Sequence, residues 1–491
     1  AIAVAAIALS RGEEISAAWI VLAAICTFVI AYRFYSRFLA ARVLALDDAR
    51  TTPAVRLNDG RDFVPTNRWV VFGHHFAAIA GPGPLVGPTL AAQFGYLPGT
   101  IWILAGVVLA GAVQDFVILG ASLRRGGRSL AKMAHDYLGR WGGIAGTLGI
   151  LLIMVILIAV LGLVVVNALA ESPWGVFTVG ATIPIALLMG VIMRGGRGRE
   201  VAIATAVGLA LLFLALAGGR SVSQHPDLGP LFTLGKEPLA WAVILYGLAA
   251  SVLPVWLLLA PRDYLSTFVK LGTVVLLALG ILAVRPDLHM PALTRYVDGS
   301  GPVFGGKVFP FCFITIACGA ISGFHALIAS GTTPKLLERE TDARFIGYGA
   351  MLTEGFLATV VIASLGAFGL EVAKKTAADV GAAGWTVLGI PQFSQAYAMG
   401  ANQAFGMSMS FGTTFASLVV CAFALTSLDT TCRLGRFAWQ DFWGRVVSPA
   451  AQSSGGYKLF TNRWVASIIA GGLGVYVATT GGIFSAIWAA F

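Results

Sequence analysis

Charge is what this chain is short of. Of its 491 residues, 11% are Asp, Glu, Lys or Arg, against 57% hydrophobic, and the mean hydropathy is +0.83. A soluble chain of this length needs a far larger charged surface, so a soluble globular fold is excluded. Cysteine is scarce too. Cys26, Cys312, Cys318, Cys421 and Cys432 form no CxxC pair and fall mostly in apolar runs, where a free cysteine behaves as a small core residue. No structural disulfide is expected. No P-loop occurs, which excludes ATP as a driver within the chain, and no HExxH-type ligand spacing or recognisable nucleophile motif is present. The net charge of +10 does not point to nucleic acid. The Lys and Arg residues lie between apolar runs, where membrane orientation and anionic lipid headgroups account for them.

What the chain does have is apolar runs of about 20 residues, the length that crosses a bilayer as a helix. They fall at 16–39, 69–96, 98–122, 143–169, 174–194, 200–218, 237–260, 264–284, 308–330, 344–369, 402–428 and 462–480, with a partial thirteenth from 481. The expectation is an all-α polytopic membrane protein of 12 to 13 spans. The chain starts on Ala and stops inside the apolar stretch GGIFSAIWAAF, so both ends read as trimmed, and the first long segment reads as a span rather than a cleaved signal peptide. Alternate loops are rich in Arg and Lys: 40–68, 123–142, 194–199, then Arg262, Lys335 with Arg339, and Arg433 to Arg445. The loops near 97 and 172 carry neither residue. This positive-inside pattern puts the N-terminus outside and runs the second span from cytoplasm to exterior.

The second span contains GHHFAAIAGPGPLVGP, residues 73–88, with three Gly-Pro pairs in eight residues. Pro82, Pro84 and Pro88 lack an N–H and push the preceding residue away from helical geometry, while Gly81, Gly83 and Gly87 tolerate conformations other residues avoid. An unwound segment over 81–88 is expected. Such backbone must line a cavity or be buried in protein, where free carbonyls, N–H groups and half-helix ends bind small polar solutes or ions. Five spans later, Ser251 and Pro254 suggest a second break facing the first. An odd offset inverts the second copy, which fits a five-plus-five inverted repeat over 69–218 and 237–428. Span 16–39 and the segments of 462–491 would be additions.

Ionisable groups inside spans are costly and are site candidates by default. His74, His75, Asp115, His325, Glu354 and Asp429 qualify, and the predicted orientation places all of them in the cytoplasmic half. Their structural alternatives are an ion pair of Asp429 with Arg433, a loop partner for Asp115, and satisfied core histidines. The three histidines could also hold a transition metal, although no spacing favours it. The leading functional reading is secondary transport of a small metabolite. A channel or sensor is the alternative, and a membrane-embedded hydrolase lacks a nucleophile.

The stretches FGHHFAAIAGPGPLVGPTLAAQFGYLPGTIWIL, GVVLAGAVQDFVILGASLRRGGRSL, SGFHALIASGTTPK and LDTTCRLGRF resemble the carbon starvation protein (CstA) family of bacterial inner-membrane transporters, from about residue 16 to the end. The resemblance implies uptake of small peptides or pyruvate as part of the carbon starvation response, proton-coupled, by a non-enzymatic carrier with a LeuT-like core of the amino acid–polyamine–organocation (APC) superfamily. No cofactor is expected besides a proton or sodium as coupling ion, and the expected partners are the small-molecule solute and membrane lipids, with no nucleic acid. Carried over to this chain, Gly81, Pro82, Gly83, Pro84, Gly87, Pro88 and Gln93 would meet substrate, with Ser251 and Pro254 at the second break. His75, Asp115, Ser322, His325, Ser330 and Glu354 would serve proton or ion coupling, and Thr332, Thr333 and Lys335 would close the inner end of their helix.

Overall fold

The Gly-Pro run does break its helix, over a shorter stretch than expected. In the computed structural model, which describes residues 15–195, 198–301, 303–369, 390–448 and 450–479 together with Ser10, Gly12 and Val372, helix α2 (Arg68–Ile79) stops at Ala80, whose ψ of 75° is not helical. Asn67 caps its start, accepting from the Trp69 N–H at 3.0 Å. A new helix, α3 (Gly83–Ala91), begins three residues after Ala80. Pro84 sits in its first turn, where an N–H would have no partner, and Pro88 gives up a single ladder bond inside it. The unwound segment is therefore 80–82, and residues 83–88 are helical.

α1 (Ala17–Val43) precedes this pair. After it come α4 (Tyr96–Arg124), α5 (Leu130–Leu169), α6 (Pro173–Met193), α7 (Gly198–Gln224), α8 (Lys236–Val252) and α9 (Leu259–Val284). The span expected at 308–330 is itself broken. It divides into α10 (Val308–Thr315), α11 (Ala317–Ala320) and α12 (Gly323–Gly331), with Ile321 and Ser322 extended between the last two. α13 (Arg344–Gly369), α14 (Ile390–Phe405), α15 (Met409–Val446) and α16 (Arg463–Thr479) complete the series. No strand forms among the described residues. Eight helices are individually long and apolar enough to cross a membrane; the other expected spans appear as broken or shorter helices. The partial span from 481 lies outside the described residues.

The two broken helices lie side by side and antiparallel. His74 and His75 of α2 reach Thr332 and Thr333 at the end of α12. A β-carbon on Gly83 would lie 2.4 Å from Cys318 Cβ, and one on Gly87 would lie 2.5 Å from the Thr315 carbonyl. Glycine at these two positions is thus what lets α3 press against α10 and α11. The second break therefore does not fall at 250–254. There α8 ends at Val252 and the chain turns into α9, because Pro254 cannot continue a helix and Arg433 is anchored on the Ala250 and Leu253 carbonyls.

α13 runs through the centre against both broken helices and is almost entirely buried, whereas the peripheral α6 and α7 leave most of their apolar surface uncovered. α5 and α15 pack along each other: Ile158, Val165, Val166 and Leu169 meet Cys421, Leu425 and Leu428. α15 continues well past the 402–428 segment, so Asp429 sits mid-helix. At the basic end, the loop 44–67 straps across the molecule. Val64 and Thr66 donate to the Lys335 and Leu336 carbonyls at 3.0 Å, and Val255 donates to the Arg61 carbonyl at 2.9 Å. Asp62 pairs with Arg433 at 2.6 Å and Arg436 at 3.0 Å. Burial works to raise the Asp62 carboxyl, but the charges of Arg436, Arg433 and Lys335 outweigh it and hold it below the usual carboxylate range.

Candidate functional site

At the first break the helix ladder is interrupted, and the carbonyls it frees are met by a cation. Lys270, fully buried on α9, donates from Nζ to the carbonyls of Ala77 and Ala80, both at 2.7 Å, and to Thr426 Oγ1 at 2.8 Å. Ser427 donates to the Ala78 carbonyl at 2.9 Å. Two backbone oxygens and a hydroxyl oxygen thus converge on one ammonium, the arrangement that would otherwise suit a small metal cation.

At the second break the groups are acidic and imidazole. His325 on α12 lies between Asp115 of α4, at 3.2 Å from Nδ1 to Oδ2, and Glu354 of α13, at 3.3 Å from Nε2 to Oε2. Cys318 Sγ stands 3.8 Å from Glu354 Oε1. Gln114 donates to the Ser322 carbonyl at 2.6 Å, which ties α4 to the extended residues of the break. Asp115, His325 and Glu354 are completely buried.

Two further charged sets flank the breaks. His74 Nδ1 is 2.6 Å from Asp263 Oδ2 and its Nε2 is 2.9 Å from Thr332 Oγ1. Arg262 pairs with Asp429 at 2.6 Å, and the Tyr246 hydroxyl donates to the same carboxylate at 2.5 Å. An apolar cavity of about 360 Å³ between α6, α7, α9 and α15 is bounded by Thr182, Phe213, Arg262, Phe268, Thr273 and Thr426, the last being the residue whose hydroxyl Lys270 holds.

Asp115, His325 and Glu354 thus come together as one group. His75 lies one helix away with Nδ1 on Thr333 at 2.8 Å, and its Nε2 finds no partner among the described residues. Gly81 and Pro82 form the first break, with Gly81 against Ser427. Gly83, Pro84, Gly87 and Pro88 lie in the helix α3 rather than in an unwound loop, and the two glycines sit on the face that packs against α10 and α11. Gln93 is a structural anchor, holding the 303–304 backbone through both amide atoms. Ser251 bonds Ser467 at 2.8 Å and Pro254 lies in the turn behind it, both away from the breaks. Ser330 caps α5 by accepting from the Leu130 N–H at 3.0 Å, while Ser322 contributes its extended backbone. Asp429 takes Arg262 as its partner, not Arg433, because Arg433 turns to Asp62 and the α8 carbonyls. All five cysteines are free.

Lys270, Arg262, Asp263, Thr426, Ser427 and Cys318 escape the sequence patterns. Lys270 lies inside 264–284 and is an intramembrane cation, which is the signal that could have found it. Arg262 and Asp263 read as loop residues because the apolar run starts at 264, whereas α9 begins at Leu259 and buries both.

Breaks, buried charges and long apolar helices together define a multi-pass membrane protein organised around two discontinuous helices. The chain belongs to the carbon starvation protein CstA family: the family model matches residues 16–384 and 368–491. It is 57% identical over 378 residues to the pyruvate/proton symporter BtsT of Escherichia coli K12, covering 77% of this chain and 53% of that protein. It is 48% identical over 491 residues to the peptide transporter CstA of the same organism, covering 91% and 70%. To the peptide transporter CstA of Helicobacter pylori J99 it is 45% identical over 532 residues, covering 100% and 77%. The chain thus spans from about half to about three quarters of the length of these relatives.

Proposed function

We propose that this chain carries the transport core of a proton-coupled secondary transporter of the bacterial inner membrane, moving small peptides or pyruvate, and that it is not an enzyme. The observation that carries the reading is the antiparallel pair of broken helices with buried ionisable groups at each break. Discontinuous helices in opposed orientation are the hallmark of alternating-access carriers, where half-helix ends meet solute and ion near the bilayer midplane. The names of the relatives, a pyruvate/proton symporter and peptide transporters, support the substrate classes and the proton.

The same pair supports a LeuT-like inverted repeat whose copies begin on the broken helices, at Arg68 and Val308, rather than at 69 and 237. α2–α3 then corresponds to α10–α12, α4 to α13, and the long α5 to the long α15.

Lys270 is the group we assign to proton coupling. An ammonium has three N–H donors, and at the first break all three are used. A neutral amine has two donors and a lone pair, so losing the proton leaves the two carbonyls held by neutral N–H groups, turns the Thr426 hydroxyl from acceptor to donor, and weakens the hold of α9 on α2. The ammonium also stands where a sodium ion would bind, which favours the proton over sodium.

The test is uptake of labelled pyruvate and of labelled di- and tripeptides into proteoliposomes in sodium-free buffer, driven by an inward proton gradient. Accumulation against the solute gradient supports the proposal. Sodium-dependent uptake refutes it, and flux without saturation or counterflow points to a channel.

A further inference from the structure

We propose that Cys318, His325 and Glu354 bind a divalent transition metal of the zinc class at the second helix break. Each residue comes from a different element, α11, α12 and α13. Their ligand atoms all lie within 4.8 Å of one another. Zinc bonds sulfur at about 2.3 Å and nitrogen or carboxylate oxygen at about 2.0–2.2 Å, so a tetrahedral site spaces nitrogen from oxygen by about 3.4 Å and sulfur from oxygen by about 3.6 Å. The observed separations run to the two different oxygens of the Glu354 carboxylate, 3.3 Å from His325 Nε2 to Oε2 and 3.8 Å from Cys318 Sγ to Oε1, so a small rotation of the carboxylate brings one oxygen to both partners.

The hydrogen-bonding pattern points the same way. His325 Nε2 and Glu354 Oε2 are fully buried, yet neither makes an aligned hydrogen bond among the described residues despite their closeness. Buried polar atoms are rarely left unpaired. A carboxylate holding the far nitrogen is the usual outer support of a metal-bound histidine. Asp115 suits that role: its Oδ2 lies 3.2 Å from His325 Nδ1, where it would accept from Nδ1–H of a metal-bound imidazole, and Nε2 is the nitrogen on the side of Cys318 and Glu354. On binding, the Cys318 thiol gives its proton to solvent and the thiolate takes its place on the metal. Thiolate and Glu354 carboxylate balance the two positive charges. Three protein ligands leave one position for water or an incoming carboxylate, beside the Gly83 contact that joins the two broken helices.

The experiment uses the full chain in detergent, stripped with a chelator and titrated with Co²⁺. The expected result is one Co²⁺ per chain with a thiolate-to-cobalt charge-transfer band, displaced by Zn²⁺. The band is lost in Cys318→Ser and kept in Cys432→Ser, and Asp115→Asn weakens binding by about 10- to 100-fold. Absence of binding above the detergent control, or a band that persists in Cys318→Ser, overturns the proposal. Zinc-edge X-ray absorption of the wild-type chain gives the same readout without a variant. One sulfur in the coordination shell supports the site, and a shell of nitrogen and oxygen alone overturns it. None of these readouts requires substrate, so they stand apart from the transport assay.

Discussion

Lys270 Nζ lies 2.7 Å from the carbonyl oxygen of Ala80, the residue at which the first broken helix stops. The contact links three helices, because the same ammonium holds Ala77 of α2 and Thr426 of α15. An ion site built from backbone oxygens is thereby filled by the protein's own cation.

Lys270→Ala is expected to abolish proton-driven accumulation while leaving downhill exchange of labelled for unlabelled solute. The substitution removes the titrating amine and leaves the Ala77 and Ala80 carbonyls without their donor, a structural cost that the downhill exchange controls for. Counterflow and pH-jump uptake measured on one preparation check this. Accumulation at the wild-type level in the variant would contradict the assignment.

Gly87→Ala should destabilise the protein by about 1–3 kcal/mol, as overpacking does, and slow uptake. Its new methyl would lie 2.5 Å from the Thr315 carbonyl, a backbone atom that cannot swing aside. Thermal unfolding in detergent measures the effect, and an unchanged midpoint would show that α3 and α10 move apart freely.

The Arg262–Asp429 pair is buried on both sides. Arg262→Met alone leaves an unpaired buried carboxylate and should destabilise by about 3–5 kcal/mol. Adding Asp429→Leu should restore most of that loss, since neither charge is then left without its partner. A double-mutant cycle on unfolding midpoints decides it, and additive losses would mean that the two groups act independently.

Asp62 is the pH-sensitive tie of the strap. Its carboxyl lies lower in the folded protein than the ordinary 3.8, so its ion pairs contribute fully above that value and are lost as pH falls through the folded value. Limited proteolysis within 44–67 should be slow at about pH 7 and accelerate on acidification below the ordinary carboxylate value. Asp62→Asn should show the fast rate already at neutral pH. Equal rates in wild type and variant at neutral pH would show that the backbone bonds to Lys335 and Leu336 hold the strap unaided.

Hydropathy, loop charge and the Gly-Pro run were enough to read a polytopic helical membrane protein and its first broken helix from the amino-acid order. These signals are local: apolar length decides whether a segment suits a bilayer, and proline removes a specific donor at a specific place. The His325 group was half legible, because Asp115, His325 and Glu354 each stood out as an intramembrane charge. Their meeting was not, since it requires α4, α12 and α13 to converge.

The second break, at Ile321 and Ser322, carries no proline, and no local rule singles it out over Pro254. Its extended backbone is stabilised from outside the helix, by Gln114 on the Ser322 carbonyl and by α3 packed through Gly83 and Gly87. Lys270 depends on tertiary structure in the same way. A lone lysine in an apolar run shows that a charge must be satisfied. Which oxygens satisfy it was decided when α9 packed against α2 and α15, because the acceptors lie about 190 residues before it and 156 after it in the chain.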